Sequence, residues 1–165
     1  MNATLLSPRR ILLASHGTPG ARAAEEAALA LAEEAAAAIV LLYVVPDFWR
    51  GMRGDDWLNN VVTQQAFGDY LENELLREAR KEVRRVAGEA ERRGIAMEIR
   101  AMFGRPDACL LSAVAETNPD LVMIGAPRPK GVPGYRSRMK PESLMRALPC
   151  PLIVVPNPLA SQKNP

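Results

Sequence analysis

Short apolar runs, each closed by a turn former, punctuate the chain, and stretches with helical spacing lie between them. Ile11-Leu12-Leu13-Ala14 stops at Ser15-His16-Gly17-Thr18-Pro19-Gly20, which reads as a buried strand followed by a tight turn. From Arg22 to about Ala37 the residues are almost all Ala, Glu and Leu. This predicts a helix with Ala24, Ala28, Leu31 and Ala35 on its packed face and Glu25, Glu26, Glu33 and Glu34 largely off it. Ile39 to Val45 is continuously apolar and ends at Pro46, as a strand covered on both faces should. Leu71, Leu75, Ala79, Val83, Val86 and Ala90 recur every three or four positions, giving a long amphipathic helix that Gly94 ends and whose charged face is read as solvated surface. Ile95 to Met102 alternates instead, with Ile95, Met97, Ile99 and Ala101 set against Glu98 and Arg100, the pattern of a half-exposed edge strand. Pro106 starts a helix through Glu116, Leu121–Ile124 is another buried strand, Pro141 opens a short helix to Leu148, and Leu152–Val155 is the last strand.

The order β-α-β-α-β-α-β-α-β without repeats predicts one open, mostly parallel sheet with helices on both faces. One domain over residues 1–157 follows, with a polar tail, 158–165, expected to fray. Residues 46–68 break the rhythm with a turn-rich, charged connection that holds Trp49 and Trp57. Those rings either cover a pocket mouth or partner surface, or simply seal the connection against the sheet.

Composition changes this picture in one place. Lys+Arg number 21 against 19 Asp+Glu, yet Arg128, Lys130, Arg136, Arg138 and Lys140 all fall within residues 126–140, which contain no acid. Removing those five bases leaves 16 against 19 and reverses the sign of the net charge. A basic loop directly after a buried strand is where an open α/β sheet would meet an anionic small ligand. The bland reading is that its arginines are solvated, or paired with Asp55, Asp56 or Glu142. Nucleic acid is disfavoured, since no aromatic residues interleave with the bases.

Cys109 and Cys150 lack the spacing of a metal or disulfide framework and are read as inert thiols. The single histidine, His16, rules out a multi-histidine metal site. Met1–Arg10 is too short an apolar start for a signal peptide, and no stretch reaches the ~20 apolar residues of a membrane span, so a cytoplasmic protein without a membrane partner is expected. Neither a nucleophile elbow nor a paired-carboxylate pattern is present, so no residues are assigned to catalysis.

Several segments in sequence order resemble the universal stress protein family. They are the first strand with Gly17-Thr18, Leu41–Val45, Gly104-Arg105-Pro106, Asp120–Gly125, and Pro149-Cys150-Pro151 leading into Leu152–Val155. The resemblance implies a five-stranded Rossmann-like sheet of order 3-2-1-4-5, similar to the adenine nucleotide alpha hydrolases. It also implies a pocket that meets the nucleoside near His16, Gly17 and Val44 and the phosphates near Gly125.

Many members of that family bind ATP with Gly, two residues, Gly, nine residues, Gly, then Ser or Thr. Counted from Gly125, those positions hold Arg128, Arg138 and Met139, and His16 stands where ATP binders carry an acid. Side chains then fill phosphate space, while Pro127, Pro129 and Pro133 remove backbone donors. The expectation is a non-catalytic, stress-response regulator with a degenerate nucleotide pocket (His16, Gly17, Val44, Gly125, Arg128, Lys130, Arg138, Met139) and no cofactor. The alternative is an ATP- or AMP-binding member with a rearranged loop using Gly131, Gly134 and Ser137, with slow ATP hydrolysis. His16 itself is read either as a ligand contact or as a hydrogen-bonded structural residue. Family members commonly dimerise through their last strand, which implies a homodimer through Leu152, Ile153, Val154 and Val155.

Overall fold

The computed structural model describes residues 7–15, 18–45, 61–133 and 139–163. Its strands are β1 (Arg10–Ser15), β2 (Ala38–Val45), β3 (Met97–Phe103), β4 (Leu121–Gly125) and β5 (Leu152–Val155). Its helices are α1 (Pro19–Ala35), α2 (Val61–Arg92), α3 (Pro106–Thr117) and α4 (Pro141–Ala147). The sheet order is β3-β2-β1-β4-β5, and every pairing is parallel. Ile11 on β1 stands beside Ile39 on one side and Leu121 on the other.

Alternation along the strands divides the core. Ile11, Leu13, Ile39, Leu41 and Met123 face α1 and α2, while Leu12, Val40, Leu42, Val122 and Ile124 face α3 and α4. All of these side chains are buried, each contributing about 1.5–3 kcal/mol if fully withdrawn from water. Because both faces are covered, the central strands read as unbroken apolar runs.

Helix α1 begins three residues earlier than its periodicity predicts. Pro19 occupies the first turn, and Thr18 acts as the N-cap, its Oγ1 accepting the Ala21 amide at 3.3 Å. Its packed face is Ala21, Ala24, Glu25, Ala28, Leu29 and Ala32, so Leu31 and Ala35 lie at the margin and Glu25, expected outside, is buried. The reason is phase. Glu25 is four residues before Leu29 and seven before Ala32, on the same stripe as both.

Helix α2 starts at Val61 and so takes in part of the stretch read as an irregular connection. Strand β3 is an edge strand as expected, but Ile99, assigned to its packed face, is 46% exposed. After β5, where composition predicts fraying, Pro158–Lys163 form a 3-10 helix, and Asn157 Oδ1 accepts the Leu159 amide at 2.9 Å. Trp49 and Trp57 lie outside the described residues.

Candidate functional site

At the carboxyl ends of β1 and β4 the backbone of the sheet meets the backbone of α1. A Cβ built on Gly125 would lie 2.2 Å from the Gly20 carbonyl oxygen and 2.8 Å from the Ala21 nitrogen. One built on Gly20 would lie 2.7 Å from the Ala126 oxygen and 3.0 Å from Asn157 Nδ2. Both contacts fall within distances that side-chain carbons do not tolerate, so each position requires glycine. Gly125, singled out as a phosphate-contacting residue, thus has a packing role: it lets the first turn of α1 sit directly on β4.

Beside this junction lies a cavity of about 80 Å³. Thr18, Pro19 and Ala21 border it from α1, Ile124 and Gly125 from β4, and Pro127, Arg128, Pro133, Met139 and Pro141 from the loop and the start of α4. Asn157 and Leu159 close the remaining side. Its position is the point where the chain order along the sheet reverses, between β1 and β4, where open α/β sheets hold ligands.

Among the described residues of the loop after β4, two amides are taken up by internal hydrogen bonds. The Ala126 N–H donates to the Val155 carbonyl at 2.7 Å, and the Val132 N–H donates to the Pro129 carbonyl at 3.3 Å. The second bond closes a turn whose third residue, Gly131, has φ +80, a conformation that favours glycine there. Gly131 is therefore accounted for by turn geometry. Pro127, Pro129 and Pro133 have no N–H to offer.

The structure thus brings Gly125, Arg128 and Met139 together around one cleft. Met139 packs against the α3-side core. Val44 is buried in that same core, and Lys130 is exposed on the loop surface. His16, Gly17 and Arg138 lie outside the described residues, as do Gly134 and Ser137 of the alternative loop reading. Asn157, Leu159 and Gly20 were not anticipated. Only Gly20 carried a local signal, a glycine in the first turn of an otherwise alanine-rich helix.

A second unanticipated group lies on the other side of α1. The buried Glu25 carboxylate accepts hydrogen bonds from the Ser15 hydroxyl and from Arg85 of α2. Arg85 also donates to Glu82 at 3.0 Å, and Arg22 of α1 reaches Glu82 at 3.1 Å. Burial pushes the Glu82 carboxyl up, but Arg85 and Arg22 outweigh it and hold it below the ordinary glutamate range. Farther along, Arg93 bridges to Glu26 at 2.9 Å. The charged face of α2 is therefore partly a seam against α1.

On α3, Arg105 holds the buried Asp107 carboxyl low against the cost of desolvation. Cys109 donates to the Phe103 carbonyl at 3.5 Å, and burial raises the half-buried Cys150 thiol, with Asp120 adding to it. Both are free thiols. Among the described residues there is no cluster of three metal-ligating side chains, and no helix is long and apolar enough to cross a membrane.

A parallel sheet of this order, with a cleft at its switch point, defines the doubly wound, Rossmann-like class of α/β proteins. The family model of the universal stress proteins matches residues 8–156, and the chain belongs to that family. A universal stress protein family member from Burkholderia pseudomallei is 26% identical, with 94% of this chain and 99% of that one covered at a TM-score of 0.67. The universal stress protein UspA from Lactobacillus plantarum is 18% identical over 88% and 96% of the two chains, at 0.62. A family member from Arabidopsis thaliana with AMP bound is 15% identical over 96% of each, at 0.56. No curated protein matches the chain.

Proposed function

We propose that this protein is a non-catalytic, regulatory universal stress protein whose switch-point cleft does not take ATP in the usual mode. The observation that carries the reading is the lining of that cleft, where Arg128 and Met139 stand at the positions that a glycine and a hydroxyl occupy in ATP-binding members. The amide inventory of residues 126–133 agrees, since prolines and internal hydrogen bonds consume much of what a phosphate cradle would use. A cavity of about 80 Å³ also falls below the ~300 Å³ at which small-molecule sites usually begin.

Calorimetry with ATP and Mg²⁺ tests it. No binding is expected at millimolar nucleotide for the natural chain, whereas Arg128→Gly with Arg138→Gly and Met139→Ser should gain at least about tenfold in affinity, roughly 1.4 kcal/mol. Micromolar binding by the natural chain would overturn the proposal. It would favour the rearranged-loop alternative, whose support is the AMP carried by the Arabidopsis relative.

The regulatory unit in this reading is a homodimer through β5. That edge presents Val154, 43% exposed, with half-buried Leu152, Ile153 and Val155. The Val122 amide bonds to Pro151 and the Ala126 amide to Val155, so the backbone groups of Leu152 and Val154 are the ones left facing outward. Exposed Met145 of α4 adds apolar area from an adjoining element. Light scattering should give about twice the 18.0 kDa chain mass, and Val154→Lys should return it to one. A natural chain that stays monomeric at tens of micromolar, roughly where an interface of standard size is populated, removes the dimer from the proposal.

A further inference from the structure

The opposite edge of the sheet carries a self-complementary pattern that the cleft does not involve. In the β2–β3 ladder the Ile39 amide bonds to the Ala96 carbonyl and the Gly104 amide to the Val45 carbonyl, both at the even-numbered positions of the third strand and its flanks. Parallel pairing alternates, so Glu98, Arg100 and Met102 direct their N–H and C=O groups toward β2. Met97, Ile99, Ala101 and Phe103 direct theirs outward. The same outward residues include Ile99 and Phe103, which are 46% and 41% exposed. Among the described residues no proline or lysine blunts this strand, and an edge whose outward-bonding positions are all apolar is a template for another strand.

We infer that β3 is a self-association edge, pairing antiparallel with β3 of a second copy about a two-fold axis at Ile99. The charges select both the occupant and the register. With the axis at Ile99, Ile99 faces its own copy, Met97 faces Ala101, and Glu98 faces Arg100 on each side of the axis. The outward backbone groups of Met97, Ile99 and Ala101 then form the hydrogen-bonded pairs, about six bonds in all, and Glu98–Arg100 falls at the closer, non-hydrogen-bonded pairs.

A shift of the axis by one residue either way sets Glu98 against Glu98 or Arg100 against Arg100, which is unfavourable. A shift to Ala101 sets Arg100 against Met102 and leaves Glu98 facing Gly104. Within one chain Arg100 already bonds Glu98 at 2.8 Å and reaches Glu116, so the second copy adds cross-strand carboxylates to an arginine held at the edge. One strand pair is small compared with a standard interface of ~1,600 Å², so the association is weak and fast, and covalent trapping is the appropriate readout.

The test uses the full chain carrying Val154→Lys, to silence β5, and Cys150→Ser, to remove the half-buried thiol. Ile99→Cys and Ala101→Cys are then oxidised under mild conditions. Across the proposed axis the Cα atoms of residue 99 are about 5.5 Å apart, within the 4.4–6.8 Å of disulfides. Ile99→Cys should therefore form a disulfide-linked dimer at least about tenfold faster than Ala101→Cys, whose own copy lies across several residues of the ladder.

In the Ile99→Cys chain, Glu98→Arg and Arg100→Glu should each slow trapping, and the two together should restore it. Faster trapping at Ala101, equal trapping at both positions, or no dimer from a chain with an unchanged circular dichroism spectrum would overturn the inference. The last outcome means that this edge is covered by another part of the chain or by a different partner. Failure of the paired swap to restore trapping would overturn the assigned register.

Discussion

Helix α1 is fastened to the molecule in two unlike ways. Toward β4 it is held by apolar packing and close fit, with Gly20 and Gly125 allowing backbone to lie on backbone without an intervening side chain. Toward α2 it is held by charge, through Glu25, Arg85, Glu82, Arg22 and the outer pair Arg93–Glu26. The first contact is all or none, because a single carbon has nowhere to go, and neither pH nor salt acts on it. The second is graded. Its strength depends on how much water each pair still sees, and it weakens with acid and salt. The cleft belongs to the first kind, since Thr18, Gly125 and Asn157 are positioned by the steric junction.

The largest expected effect comes from breaking the junction. Gly125→Ala places a methyl against the Gly20 carbonyl and should cost at least about 3 kcal/mol, or roughly 10 °C in Tm by thermal denaturation. If that variant melts like the natural chain and alters only ligand binding, the packing role assigned to Gly125 is wrong.

Next is the inner half of the seam. Arg85→Ala leaves the Glu25 carboxylate, 2% exposed, with the Ser15 hydroxyl as its one partner among the described residues. The expected loss is about 2 kcal/mol, below the ~3–5 of fully buried pairs because the 45% exposed arginine is partly screened. Glu25→Gln, which removes the charge, keeps an oxygen to accept from Arg85 and turns an N–H toward the Ser15 oxygen, should cost less than Arg85→Ala in urea denaturation. The reverse order would mean that the pair is worth more than the desolvation it requires.

A pH series separates the two attachments further. The Glu82 carboxyl is held below its unfolded range of about 4.3, so its contribution is fully present above that pH and is lost as pH falls through the lower folded value. Stability should therefore fall on acidification below about pH 5, and Arg85→Ala should flatten that fall. Gly125→Ala should shift the whole curve down without changing its slope. An unchanged acid slope in Arg85→Ala would detach Glu82 from the seam. The smallest effect is expected of Arg93→Ala, whose side chain is partly covered but whose partner Glu26 is largely exposed, so that it should lower the melting temperature less than Arg85→Ala does.

Much of this architecture was legible in the chain. Apolar runs closed by turn formers marked four strands, alternation marked β3, and three- and four-residue spacing marked α1 and α2, because burial on a regular element repeats with its geometry. Glu25 was misread even though its spacing from Leu29 and Ala32 already placed it on the packed stripe, since its charge was taken as a sign of exposure. Of the cleft, Gly125, Arg128 and Met139 were named from the loop, whereas Asn157 and Leu159 enter it from beyond the last strand, where composition predicts only fraying.

The sequence by itself determined the elements, their order and their parallel arrangement, because hydrophobic period and turn chemistry act over a few residues and leave their mark there. Only the tertiary structure decided that Gly125 meets Gly20, that Glu25 meets Arg85, and which backbone groups of β3 and β5 face outward. Those outcomes depend on the distance between segments far apart in the chain, and on ladder phase. Neither property is carried by any one residue's neighbours in sequence.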